Sequence, residues 1–110
     1  QFGRYRASEN GLDVDESGEV VRTDDPELDG PFVGAGELSE RLSSSSRVRD
    51  CLATNYYRFA MGRSETPEDA CSLQQVKERF AQAGGDLREL LVAITLSDAF
   101  RYRAAIAEAP

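Results

Sequence analysis

Histidine and tryptophan are absent from the 110 residues, methionine occurs once and cysteine twice. Without histidine there is no Ser/His/Asp or Cys/His nucleophile pair, no usual zinc site, and no c-type haem attachment, whose motif is Cys-x-x-Cys-His. Any catalysis would have to rest on carboxylates, tyrosine or lysine. Basic residues are in deficit as well. Thirteen Lys and Arg stand against 20 Asp and Glu, giving a net charge of −7. That charge repels phosphate backbones and anionic lipid, so neither nucleic acid nor a membrane surface is an expected partner, whereas a cationic one is compatible. No apolar run approaches the roughly 20 residues that cross a bilayer, and no insertion is expected.

What is present reads as one domain. At 40% hydrophobic residues the chain is long enough for a single core. It opens on Gln1 rather than Met and is expected to be a piece of a longer chain. Residues 1–33 are rich in Gly, Asp and Glu without a helical period. Within them "GLDV" and "EVVR" flank Asp15 to Gly18, where Gly18 can supply a positive φ to a hairpin loop. Residues 34–110 carry helical patterns.

"GELSERL" predicts a short helix that ends in the run Ser43 to Ser46, with Ser45 or Ser46 capping the next. In "RVRDCLATNYYRFAMGR" the side chains of Val48, Cys51, Leu52, Tyr56, Phe59 and Ala60 share one face, and Gly62 is a stop. Thr66 and Pro67 open a separate turn. Ser72 with Gln75 forms a capping box for a helix bearing Leu73, Val76, Phe80 and Ala83, closed by Gly84 and Gly85. Asp86 and Glu89 cap a last apolar segment with Leu87, Leu90, Leu91 and Ile94, which Ser97 and Asp98 can divide. The expected fold is mainly α: a compact bundle of four to five short helices around one core, with a small N-terminal β-hairpin.

Asp13 to Asp24 also has the spacing of an EF-hand loop. Asp13, Asp15, Ser17, the carbonyl of Glu19 and Asp24 would be the calcium ligands, with Gly18 at the sixth place. Against this, the twelfth place is Asp rather than the longer Glu and the preceding stretch is a poor helix. A plain acidic hairpin is the favoured reading. The acidic pairs Asp24–Asp25 and Glu68–Asp69 suit acid/base chemistry only in a cleft that sets their pKa values apart, and adjacent loop acids are more often solvated. No catalytic residue is assigned.

Five ordered features carry a resemblance: Gly3 to Arg6, Asp15 to Gly18, Asp29-Gly30-Pro31, Phe59 to Arg63, and Ser97 to Arg101. Together they resemble the C-terminal domain of unknown function of large planctomycete-type proteins, many of which carry cytochrome c modules. The resemblance implies an extracytoplasmic setting, in the periplasm or at the cell surface, and tethering to larger neighbours. The expected function is that of a non-catalytic accessory or interaction domain with no cofactor of its own, whose partners are upstream domains of the same chain or a cytochrome-bearing protein. An alternative is part of an extracytoplasmic oxidoreductase whose redox centre lies upstream, and a third is a calcium-stabilised module. Cys51 and Cys71 could be free thiols, a metal pair or a disulfide, and the implied exported setting favours the disulfide. Arg4, Arg6, Arg63, Arg101 and Arg103 lie in the resembling stretches beside Tyr5, Phe59, Phe100 and Tyr102. They are candidates for a partner-facing surface, with stacking and ion pairing inside the fold as the structural alternative.

Overall fold

The computed structural model describes residues 5–102, and the chain divides into two compact units, 1–45 and 46–110. The first holds two antiparallel strand pairs and one helix. β1 (Ser8–Glu9) pairs with β2 (Leu12–Asp13), and β3 (Ser17–Val20) pairs with β4 (Gly30–Val33), which leads into α1 (Gly34–Ser44). The second holds α2 (Ser46–Met61), a 3₁₀ turn at Pro67–Asp69, α3 (Ala70–Gln82), α4 (Leu87–Leu96) and α5 (Asp98–Arg101). The fold is mainly α as expected, although α1 groups with the strands rather than with the other helices.

The strands are paired differently from the hairpin expected around Asp15 to Gly18. The tight turn is Asn10-Gly11, with φ of 52° and 80°, the doubly positive backbone that a two-residue hairpin requires. Gly18 serves a different purpose. It lies in β3 opposite Phe32, and a Cβ placed on it would come 2.5 Å from Phe32 Cζ, so the bare backbone lets the ring lie across the strand.

Between β3 and β4 the chain folds around Asp29 and Arg41. Asp29 Oδ1 accepts from the Thr23 amide at 3.0 Å and its hydroxyl at 2.8 Å. The Arg41 guanidinium donates to the carbonyls of Leu28, Asp29 and Pro31 at 3.4, 3.0 and 2.7 Å. Gly30 makes this possible. Its φ is +135°, and a Cβ there would meet Arg41 Nη1 at 2.6 Å. Asp29-Gly30-Pro31 is therefore a loop lock, with Leu28 buried beneath it.

In the second unit α3 packs against α2 and α4. The core consists of Ala53, Tyr57, Leu73, Val76, Phe80, Leu90, Ala93 and Ile94, with Met61 and Ala99 packed on it. The faces read for α3 and α4 hold in part: Leu73, Val76 and Phe80 are buried, as are Leu90 and Ile94, but Leu87 and Leu91 are exposed. The face read for α2 is corrected. Ala53 and Tyr57 point inward, while Cys51, Leu52, Tyr56, Phe59 and Ala60 are exposed. The small Ala53 allows a close helix approach, and Tyr57 is drawn inward because its hydroxyl finds a buried acceptor.

Start and stop signals fall near the expected places. Gly62 (φ +66°) ends α2, Gly84 and Gly85 (φ +66° and +84°) end α3, and Asp86 caps α4 by accepting from the Arg88 amide at 2.8 Å. Ser97 separates α4 from α5. Ser72 is not a cap: it lies inside α3, buried, and its hydroxyl oxygen accepts from the Ala99 amide at 3.3 Å. Glu89 joins Arg79 at 3.1 Å instead of closing a capping box.

Candidate interaction site around Asp69 and the outer face of α2

The densest polar cluster gathers on Asp69, which is only 3% exposed. After the turn at Gly62 the chain brings Arg63 back over the start of α3. There Nη1 donates to Asp69 Oδ2 at 2.5 Å and Nη2 to Oδ1 at 3.0 Å, while Nη1 also reaches the Ser64 carbonyl at 3.0 Å. Thr66 donates to Oδ2 from its amide at 2.8 Å and from its hydroxyl at 3.2 Å, and the Tyr57 hydroxyl donates to Oδ1 at 3.1 Å. One carboxylate thus ties the end of α2, the connecting turn and the start of α3 together.

The electrostatics follow from that geometry. The Arg63 hydrogen bond and then the Thr66 amide hold the Asp69 carboxyl well below the usual carboxylate range. Burial, followed by the bond to Asp69, pushes the Tyr57 hydroxyl up to about 12. Nearby, Arg58 forms a two-point bond with Glu65 at 2.5 and 2.6 Å, which draws the Glu65 carboxyl down to about 2. A buried carboxylate that accepts from this many donors holds the segments around it together. Of the acidic pairs considered in the sequence, Asp69 is thus a structural anchor. Asp25 is likewise engaged, accepting from the Ser45 hydroxyl at 3.0 Å and the Glu27 amide at 3.1 Å.

Beside this cluster lies a cavity of about 410 Å³ lined by Arg63, Thr66, Glu68, Asp69, Ser72, Asp98, Ala99 and Tyr102. It joins two stretches singled out in the sequence, Phe59 to Arg63 and Ser97 to Arg101. Arg101 itself stacks over the Tyr102 ring at 5.4 Å.

The outer face of α2 is apolar. Leu52, Asn55, Tyr56 and Phe59 line a shallow depression of about 360 Å³, and Phe59 is 87% exposed. At its edge the Asn55 side-chain amide donates to the Cys51 carbonyl at 3.0 Å and to its Sγ at 3.4 Å. Leu52, Tyr56 and Phe59 belong to the single apolar face expected of this helix from the sequence, and that face is the exposed one.

The other candidate residues are dispersed. Cys51 and Cys71 are both free and exposed, so the expected disulfide is not formed in this structure. Each lies on the outward side of its helix, Cys51 on the face it shares with Leu52, Tyr56 and Phe59 and Cys71 in the first turn of α3. Among the calcium candidates, Asp13 belongs to β2, Ser17 and Glu19 to β3, and Asp24 to the loop with φ of 57°. Asp15 accepts from the Ser17 amide at 2.9 Å and hydroxyl at 2.6 Å, a local turn bond. Among the described residues no three His, Cys, Asp or Glu side chains gather as a metal site. Arg6 pairs with Glu9 at 2.8 Å, while Arg4 and Arg103 lie outside the described residues. Sequence reading missed Arg41 and the Tyr57–Asp69 bond. Asp-Gly-Pro followed by a helix with an inward arginine was the available signal for the first; nothing local signalled the second.

Compared with protein families, residues 29–100 match the model described as a protein of unknown function, DUF1585. The chain matches no curated protein and no solved structure. It belongs to the DUF1585 family.

Proposed function

We propose that this DUF1585 member is a non-catalytic accessory domain that docks, through the outer face of α2, onto upstream domains of a larger exported protein or onto a cytochrome-bearing partner. The exposed stripe of Leu52, Tyr56 and Phe59 carries this reading. Contiguous apolar surface rimmed by polar groups marks protein contacts, and aromatic residues are enriched at the centres of such contacts. The engagement of Asp69, Arg63 and Glu65 supports it further, because these ionisable groups are committed to bonds within the fold. Among the described residues no helix is long and apolar enough to cross a membrane.

The extracytoplasmic location and the cytochrome association belong to this proposal and rest on the five sequence features given above. The test is binding between the 110-residue chain and the separately expressed upstream domains, or a cytochrome-bearing partner, by calorimetry. Tyr56→Ser with Phe59→Ser is expected to weaken association at least about tenfold, the scale of losing an interface anchor. Arg63→Ala is unsuitable as an interface probe because it also removes a partner of buried Asp69. Unchanged affinity in the double variant would reject the α2 face as the docking surface.

A further inference from the structure

The net charge is unevenly placed. Residues 1–45 hold eleven acidic and four basic residues, whereas residues 46–110 hold nine of each, so the whole net charge of −7 belongs to the first unit. Two of its arginines are already engaged, Arg6 with Glu9 and Arg41 with three loop carbonyls. In the same unit a groove of about 420 Å³ is lined by Tyr5, Arg6, Glu16, Phe32, Gly34, Ala35 and Leu38.

We infer that this groove receives a lysine or arginine side chain from a basic protein surface, a second contact separate from the α2 face. Phe32 and Leu38 are half-buried and give an apolar wall on which the methylene stem of such a side chain can lie, and Tyr5, 84% exposed, offers a ring face to its cation. Glu16 supplies the counter-charge. Its carboxylate makes no ion pair among the described residues, and Oε2 would lie 3.0 Å from a Cβ placed on Gly34. The Gly34 amide in turn donates to the Glu16 carbonyl at 2.8 Å, fixing this residue against the start of α1. A bare calcium ion needs six to eight oxygens, and the groove offers one carboxylate, so the geometry suits an elongated cation with an apolar stem. The surrounding negative field speeds encounter with a basic surface and opposes pairing with a second copy of this chain.

The probe is fluorescein-labelled deca-lysine titrated into the complete 110-residue chain at low salt, with binding read by anisotropy and located by amide shifts. Saturable binding is expected, with the largest shifts at Glu16, Phe32, Gly34 and Ala35, and none with fully acetylated deca-lysine. Glu16→Gln should weaken it about threefold to fivefold, the scale of one exposed ion pair. The charge-matched Glu27→Gln, on an exposed loop residue, should change it less than twofold. Equal loss in both variants would show attraction to the general field only and overturn the groove assignment. Absence of binding, or a dimer of the free chain that deca-lysine fails to dissociate, would overturn it as well.

Discussion

Replacing Asp69 with alanine removes the acceptor on which Arg63, Thr66 and Tyr57 converge. The Tyr57 hydroxyl is left buried and without a partner, which costs about 1–3 kcal/mol. Loss of one partner from a buried ion pair costs about 3–5 kcal/mol when the remaining charge is trapped. Here the Arg63 side chain is 45% exposed and regains water, so that trapped-charge cost does not apply, and the Tyr57 penalty with the lost charge-assisted hydrogen bonds comes to about 3 kcal/mol. Against a typical domain stability of about 5–15 kcal/mol this is a large fraction. With a urea dependence of about 1.5 kcal/mol per molar, the midpoint falls by about 2 M. The assay is urea unfolding at neutral pH followed by far-ultraviolet circular dichroism, with Tyr57→Phe as the companion variant, expected to lose about 1 kcal/mol. A loss below about 1 kcal/mol for Asp69→Ala would refute the reading of Asp69 as the anchor between α2 and α3.

Four further outcomes follow. Asp69 and Glu65 have folded-state pKa values depressed from 3.8 and 4.5, so their stabilisation is complete above those values and is lost as pH falls toward and below 2; an acid titration of stability that is flat from pH 5 to 2 would contradict this. Tyr57 is raised from 10.0 to about 12, so its contribution is complete below pH 10 and is lost as pH rises through 12, measurable as an alkaline unfolding arm that Tyr57→Phe diminishes. Gly30→Ala strains a backbone at φ +135° and pushes on Arg41, and should destabilise the first unit by about 2 kcal/mol, read by hydrogen exchange in residues 23–33. Calcium titrated into the chelator-treated chain should give no saturable heat at micromolar concentration, since the candidate ligands are spread over β2, β3 and the following loop.

Helix placement was legible because its signals are local. Gly62, the Gly84–Gly85 pair, Asp86 and Ser97 each act through backbone groups within a turn of themselves. The phase of α2 was not, because its outer stripe is more apolar than its inner one. What turns the helix is Ala53, small enough for close packing, and Tyr57, whose acceptor is twelve residues away. A buried hydrogen bond to a distant carboxylate leaves no mark on periodicity. The strand pairing failed for a different reason. Asn10-Gly11 carries the strongest turn chemistry in the first unit, whereas Gly18, although it lies between two β-capable runs, sits within a strand and admits the Phe32 ring. Asp29-Gly30-Pro31 was legible as a shared feature, though its cause, the guanidinium of Arg41, lies on the following helix.

The two free cysteines give a direct reading of the proposed docking face, since Cys51 flanks Leu52 and Asn55 on α2 whereas Cys71 lies on α3. The measurement is the rate at which each thiol reacts with a water-soluble maleimide, followed by peptide mass spectrometry, in the isolated chain and in the presence of the upstream domains. Both thiols should react readily in isolation, and the upstream domains should slow Cys51 at least about tenfold while leaving Cys71 unchanged, the pattern of water exclusion around an interface centre. Equal reactivity of Cys51 in both conditions would contradict docking through α2.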